Sequence, residues 1–277
     1  KIMICVFTVV HPKSKKFFQS FIESINKQTY KNFVLFICVN GCSLDKDNID
    51  KIRCNYFIYR INETAGTARK KAFYKLKNFK FKTIVFIDSD DTLDKQRLEF
   101  DVKNIKNLDF IVTNFNIMND KGVINYKKKF FTKIKNKSVI KYSQIRNKNF
   151  IGFSNLTIKA EIFFSILHQI NYKLIALDWC LAKILLLNYF RGKFFDKSLS
   201  NYRQYSENVS SVKDRSKNNL LKVIKIKTEH FKFFSQSFKM NYRFEIQRLE
   251  MLKRMIKSKI SKKYKQKSIV SNFWWDI

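Results

Sequence analysis

An apolar, β-branched run that stops abruptly in acid, T-I-V-F-I-D-S-D-D at Thr83 to Asp91, constrains this chain more than any other feature. Such a run reads as a buried strand that delivers carboxylates to one rim of a sheet. Asp88, Asp90 and Asp91 fall within four residues of a chain that holds 56 Lys plus Arg against 22 Asp plus Glu, so scarce negative charge is concentrated against the general trend. Carboxylates this close repel one another unless a cation sits between them. All-oxygen ligation suits a hard ion, Mg²⁺ or Mn²⁺, which keeps several waters and is usually shared with substrate phosphates. The competing reading is that Ser89 to Asp91 cap a helix beginning between Asp94 and Glu99, since Ser and Asp favour that position. A cap needs one acid, however, and not three.

Composition bounds the rest. At 277 residues, 45% hydrophobic and 16% aromatic, the chain can bury a large core and make one domain plus an appendage. Only 5 Gly and 1 Pro argue against a turn-rich β-sandwich and for longer regular elements. The net charge of +34 implies an anionic partner, whether nucleotide, phospholipid, acidic glycan or nucleic acid. A bias towards Lys, Asn, Ile, Phe and Tyr runs through the whole chain and accounts for much of that excess, so charge alone names no partner. Cys5, Cys38, Cys42, Cys54 and Cys180 lack C-x-x-C spacing, which points to reduced thiols and a cytoplasmic setting. His11, His168 and His230 are scattered, against a zinc site. No apolar run approaches the roughly 20 residues that span a bilayer, and Ile2 to Val10 reads as a core strand rather than a signal peptide.

Strand-like runs at Ile2 to Val10, Phe33 to Val39, Tyr56 to Ile61, Thr83 to Ile87 and Phe110 to Asn114 alternate with helical patterns at Lys15 to Asn26 and Thr67 to Lys77. This order predicts an α/β fold: a mainly parallel sheet with helices on both faces. Ligands of such sheets sit beyond the carboxyl ends of the strands. Val10-His11, Asn40-Gly41, Asn62 to Gly66 and Asp88 to Asp91 all fall there and can converge on one cleft. The Lys-rich stretch from Asn116 to Asn149 reads as a hairpin with exposed loops, Phe150 to Lys159 as a strand, Glu161 to Gln169 as a helix and Leu177 to Leu187 as a strongly apolar helix. A domain over residues 1–212 is thus followed by a basic helical extension over 213–277. In it Leu249, Leu252, Ile256 and Ile260 form a stripe opposite Lys253, Arg254, Lys257 and Lys259, and the chain ends in Phe273-Trp274-Trp275.

Four ordered motifs carry a resemblance. Q-T-Y-K-N-F at Gln28 to Phe33, N-x-x-x-G-x-A-R at Asn62 to Arg69, D-S-D-D at Asp88 to Asp91, and D-W at Asp178 followed by Y-R-Q at Tyr202 to Gln204 together resemble the family 2 glycosyltransferases of the GT-A, Rossmann-like fold. The D-W-C-L-A and Y-R-Q-Y-S-E-N pieces are similar to the branch that contains bacterial rhamnosyltransferases of surface polysaccharide synthesis. The resemblance spans about Ile2 to Val212. It implies an inverting transfer of a sugar from a nucleotide-diphosphate donor to a glycan or lipid-linked acceptor, as in surface polysaccharide or lipooligosaccharide synthesis. Asp90, and less directly Asp88, would hold Mg²⁺ or Mn²⁺ on the donor diphosphate, which offsets charge developing on the leaving group. Arg69 would reach the nucleotide or its phosphates. Asp178 would be the general base, its pKa raised by an apolar helix and Trp179; the other reading of Asp178 is a helix N-cap. Asn40 stands where the family usually carries an acid that reads the base, and Tyr205 stands where relatives commonly have a metal-approaching His. A tyrosine can hydrogen-bond a phosphate but ligates metal poorly, which assigns part of the charge neutralisation to Arg203 or Lys197. The family's usual Tyr-Asn is also missing at Val10-His11-Pro12.

Two other classes compete. A nucleic-acid-binding protein would use the Lys-rich, aromatic surface, but the acids cluster where such a groove needs positive charge, so no nucleic-acid partner is expected. A catalytically impaired membrane-surface scaffold would rest on the basic extension. That same extension suits an active enzyme held peripherally at the inner face of the cytoplasmic membrane, or it packs on the catalytic domain.

Overall fold

Alternate residues of the first strand enter two different apolar clusters, Ile4, Val6 and Val10 one of them, Cys5, Phe7 and Val9 the other. A strand with period-2 side chains and no polar face must be covered on both sides. The computed structural model describes residues 4–132, 134–205 and 216–258, without the side chains of 125–129. Ile2, the Ser206 to Asn208 piece, the expected boundary after Val212, Lys259, Ile260 and Phe273 to Trp275 lie outside the described residues.

The strands are β1 (Ile4–Val10), β2 (Phe33–Asn40), β3 (Asn55–Ile61), β4 (Thr83–Phe86), β5 (Thr92–Leu93), β6 (Phe110–Asn119), β7 (Ile124–Lys129), β8 (Ser138–Val139), β9 (Leu156–Lys159) and β10 (Gly192–Gln204). The helices are α1 (Phe18–Asn26), α2 (Lys46–Asp50), α3 (Ala65–Leu76), α4 (Arg97–Asn104), α5 (Tyr142–Ile145), α6 (Ala160–Ile166), α7 (Leu177–Leu187), α8 (Lys217–Phe238) and α9 (Arg243–Lys257). One sheet runs β3-β2-β1-β4-β9-β6-β10-β5, with β7 on β6 and β8 on β10. Helices cover both faces: α1 and Leu98 of α4 close one cluster, and α3, α6 and α7 close the other.

The fold class is as expected, but the sheet is more mixed. β1 with β2, β2 with β3, β1 with β4 and β6 with β10 are parallel. Short β9 inserts antiparallel between β4 and β6. Only Leu156 to Lys159 of the expected Phe150 to Lys159 strand forms, because Phe153 to Asn155 make a 3₁₀ turn. β10 has no counterpart among the strands expected from sequence. Its polar Ser198, Ser200 and Asn201 mask a strand whose ladder with β6 is irregular between Phe195 and Ser200.

Arg97 and Asp101 lie fully buried on the first turns of α4, Nε to Oδ2 at 2.7 Å. The guanidinium also donates to Ser154 O, Ser200 Oγ and Thr157 Oγ1, and Thr157 donates to Asp101. Such added hydrogen bonds offset much of a buried pair's desolvation, although burial still raises the Asp101 pKa and its Oδ1 has no hydrogen-bond partner among the described residues. The network ties α4 to β9, β10 and the 3₁₀ turn.

The described part of the extension packs on the domain. Leu249 is buried, and Leu252 and Ile256 lean on the same cluster as α7, so the stripe faces inward and its burial explains its period. His230 of α8 stacks on Trp179 of α7, centroids 4.0 Å apart and 9° between planes. Between them Lys183 is fully buried: its Nζ lies 4.3 to 5.0 Å from the ring centroids of Trp179, Phe231, Phe234 and Tyr242 and donates to Tyr242 Oη at 2.9 Å.

Burial holds the Lys183 amine well below its ordinary pKa of 10.5. The unfolded chain therefore binds the proton that the folded chain gives up, and this residue's contribution to stability rises with pH towards that ordinary value. Lys183→Met removes the titration. Its thermal midpoint relative to the parent should be most favourable near neutral pH and lose that advantage towards about pH 10, as read by paired melting curves.

Candidate active site

β4 ends where the apolar run ends, and Asp88 to Asp91 form a tight turn closed by Asp91 N–H donating to Asp88 O at 3.1 Å. No helix begins there. The next residues are β5, and α4 starts only at Arg97, with Asp94 accepting the Gln96 N–H, so the helix-cap reading of Ser89 to Asp91 is overturned. Ser89 Oγ donates to Val9 O at 2.9 Å and lies 2.7 Å from Ser14 Oγ, pinning the turn to the end of β1. The Asp88 N–H donates to Ser154 Oγ.

Arg203 holds the turn from beneath. Its backbone N–H donates to Asp91 Oδ1 at 2.8 Å, its Nε to Asp90 O at 2.6 Å, and its terminal nitrogens to Asn119 O, Asp120 O and Ser20 Oγ. It is 2% exposed. The guanidinium expected to neutralise part of a diphosphate is engaged beneath the acids by three main-chain carbonyls and the Ser20 hydroxyl. Lys197 likewise lies away from the acids, against Gln96 and the Phe100 ring. Asp91 is 1% exposed and turned inward, which corrects the picture of three acids around one cation. Among the described residues no group of three or more His, Cys, Asp or Glu is arranged to hold a metal. Asp88 and Asp90 are half-buried in the cleft wall, and two carboxylates leave most of a hard cation's coordination to water and phosphate.

Those two line a cleft of about 880 Å³ together with Arg69, Asp178 and Tyr205. Arg69 comes from the first turns of α3, whose N-cap is Thr64; its Nη2 lies 3.7 Å from Asp88 Oδ1 and its guanidinium packs over the Phe153 ring. Tyr205 Oη donates to Asp90 Oδ2 at 2.8 Å, so the tyrosine orients the carboxylate where a histidine is the family habit. Asp178 sits in the first turn of α7, where Ala176 holds the N-cap position; its Oδ1 accepts the Trp179 N–H at 2.7 Å. A carboxylate there gains from the helix dipole while still facing the cleft. Asn40 lies outside this lining: its amide donates to Glu63 O and accepts the Glu63 N–H, so its polar edge braces the loop before α3.

The cleft raises carboxylate pKa values. Burial pushes Asp88 up to about 7, with Asp90 and Asp178 adding repulsion and Arg69 opposing it. Burial likewise lifts Asp178 to about 6 against the Trp179 N–H and Arg69. Clustered, raised carboxylates in a cleft mark a site built for a positive partner or for proton transfer.

Several lining residues escape sequence reasoning. Lys13, Phe153 and Tyr172 reach the cleft from three separate segments, and Val223 and Ile226 come from α8. Gly66 carried a signal: a Cβ there would stand 1.8 Å from Tyr172 O, so only glycine lets the 170–176 loop cross the start of α3.

A turn of acids at the end of a central strand, an arginine near the start of the preceding helix and a lone carboxylate across the cleft define a transferase-like α/β site. The chain belongs to the glycosyl transferase family 2, whose model matches residues 2–170. Two curated relatives, each described as an uncharacterized glycosyltransferase, come from Rickettsia felis and Rickettsia conorii. They are 34% and 33% identical over 108 residues, which is 36% of this chain and 17% of theirs, so the chain spans about a sixth of their length. Among solved structures, S. aureus TarS 1–349 superposes with a TM-score of 0.61 at 16% identity, over 96% of this chain and 75% of that one. A Pyrobaculum calidifontis mannosyltransferase does so at 0.56 and 12%, over 89% and 68%. At such identities the likeness shows the GT-A fold. Among the described residues no helix is long and apolar enough to cross a membrane.

A folded pKa of about 7 for Asp88 lies above the unfolded value, so the folded state takes up a proton more readily. Stability is then greatest below the unfolded pKa and is lost as pH rises through the folded one. Asp88→Asn should raise the melting temperature of metal-free protein at pH 7.5 and flatten its decline between about pH 4 and 7, as read by calorimetry.

Proposed function

We propose that this chain transfers a sugar, with inversion, from a nucleotide diphosphate to an acceptor hydroxyl. One observation carries the reading: Asp88 and Asp90, Arg69 and Asp178 line the same cleft although they come from residues up to 109 positions apart. Asp88 and Asp90 fit a divalent ion, because both line the cleft and Tyr205 engages only one oxygen of Asp90. Bound between them and the diphosphate, Mg²⁺ or Mn²⁺ would offset the charge of the leaving nucleotide. Arg69 adds a fixed cation beside the same carboxylates.

Asp178 takes the acceptor proton. As the acceptor oxygen bonds to the anomeric carbon, the bond from that carbon to the diphosphate breaks, and the proton passes to the carboxylate. A pKa of about 6 keeps Asp178 ionised at neutral pH yet basic enough to accept. The likeness to TarS, solved with UDP and UDP-GlcNAc, and to the mannosyltransferase, solved with GDP-Man and Mn²⁺, supports a nucleotide-sugar donor and a divalent ion. Rhamnosyl-type chemistry and surface polysaccharide or lipooligosaccharide synthesis rest on the D-W and Y-R-Q motifs alone. The outward face of α9 presents Arg243, Arg248 and Arg254 with Phe244 76% and Met251 58% exposed, which suits an anionic bilayer surface.

The decisive experiment pairs nucleotide-sugar turnover with donor binding, in Mg²⁺ or Mn²⁺. Asp90→Ala should abolish donor binding, whereas Asp178→Asn should keep it and lower kcat by about 10² to 10⁴, removing the rise of rate through about pH 6. Full activity in both variants sinks the assignment. Flotation with anionic liposomes should be lost in Phe244→Ser with Arg248→Glu; unchanged flotation excludes α9 as the contact.

A further inference from the structure

The segment just ahead of β9, residues 149–155, reaches Asp178, Arg69 and Asp88 together. The Asn149 side chain hydrogen-bonds the Asp178 carboxylate, and a Cβ added at Gly152 would stand 3.7 Å from Asp178 Oδ2. The Phe153 ring centroid lies 5.4 Å from the Arg69 guanidinium carbon, and Ser154 Oγ accepts the Asp88 N–H at 3.0 Å. Phe153 lines the cleft. Asn149 and Ser154 are 4% and 2% exposed, so they act from behind the lining.

Hydrogen bonds fix the segment in one shape. Asn149 Oδ1 accepts the Ile151 N–H at 3.0 Å, which leaves its NH₂ as the group that meets the Asp178 carboxylate. Asn155 Oδ1 accepts the Gly152 N–H, and its Nδ2 donates to Phe150 O and Thr113 O. Ser154 O accepts from Arg97 Nη1 and Ser200 Oγ, so the buried Arg97–Asp101 network anchors the backbone that carries these side chains. Functional groups keep productive geometry only when the residues behind them are locked in this way.

Each contact has its own chemical effect. An amide that donates to Asp178 favours its ionised form and limits its rotation. An aromatic face beside a guanidinium attracts it and holds Arg69 at the wall it shares with Asp88.

Resting on the transferase reading above, we propose that residues 149–154 are the positioning element of the reaction, with divided tasks: Asn149 aims the base, and Phe153 holds the donor-side arginine. Ser154 pins the acid turn between them.

The two tasks are read separately on the full chain. Asn149→Ser keeps an oxygen for the Ile151 N–H and loses the amide donor. Its kcat at about pH 6.5 should fall about tenfold with the donor KM unchanged. The acid limb of kcat should move to higher pH, so that the deficit shrinks by about pH 8; Asp88 and Arg69, which also act on Asp178, are present in both proteins. Asn149→Asp, of the same shape, gives the same direction of change should Asn149→Ser fail a circular-dichroism check of folding. Phe153→Leu should weaken UDP or GDP, whichever binds the parent with Mn²⁺ in calorimetry, about threefold to tenfold and leave the acid limb in place. Phe153→Tyr, which keeps the ring, should restore that affinity. Parent values in Asn149→Ser or in Phe153→Leu overturn the proposal. So does a joint loss of kcat and nucleotide affinity at every pH, the mark of a merely structural loop. A parent that transfers from no nucleotide sugar overturns the transferase reading, and ¹³C NMR of the Asp178 carboxyl then decides the positioning by itself: its titration moves to higher pH in Asn149→Ser if Asn149 aims it and stays in place if not.

Discussion

A buried guanidinium under a turn of acids is the constraint on which the site rests. Arg203 grips Asp90 and the 119–120 loop through main-chain carbonyls while its own N–H fixes Asp91. Asp91 is thereby turned into the protein, where burial raises its carboxyl pKa well above the ordinary value and the Arg203 N–H opposes that rise. Asp88 and Asp90 are left facing the cleft. Without that anchor three neighbouring carboxylates would spread apart by repulsion; with it, two of them are held ready for a cation that the fold does not itself provide. Positive charge placed under the loop organises it, and positive charge in the cleft comes from Arg69, from lysines of the lining and from what binds.

The strands that build the nucleotide half were legible because their patterns are strong. β1, β2, β3 and β4 begin and end within a few residues of the expected bounds. Asp88 and Asp90 were legible as cleft residues because strand ends converge at one rim of such a sheet, whereas Arg69 and Asp178 were legible only through the family resemblance. What remained hidden was decided by tertiary contact. Nothing in the spacing of Asn40 says that its amide is taken by Glu63, or that Arg203 points beneath the loop rather than over it. β10 was obscured because its inner face is polar, satisfied by partners such as Arg97 and Asn116 that only the fold supplies. The tail's wall residues, Val223 and Ile226, look like any apolar pair on a basic helix until α8 is laid against α7.

The extension is therefore less an appendage than a third side of the cleft. Its inward stripe shares a cluster with α7, and the aromatic cage of Lys183 draws rings from α7, α8 and the start of α9 around one amine. That amine sits five positions along the helix from Asp178. Packing of the extension and placement of the carboxylate are thus mechanically joined through one short helix.

The position of Trp179 gives the molecule its own optical probe. Its indole N–H donates to Ile145 O, one ring face meets His230, and its backbone N–H holds the Asp178 carboxylate. The other two tryptophans, Trp274 and Trp275, stand near the carboxyl end of the sequence. Silencing them by substitution would leave a single fluorophore wedged between the carboxylate and the α8 ring stack, whose emission colour and quenching report both at once.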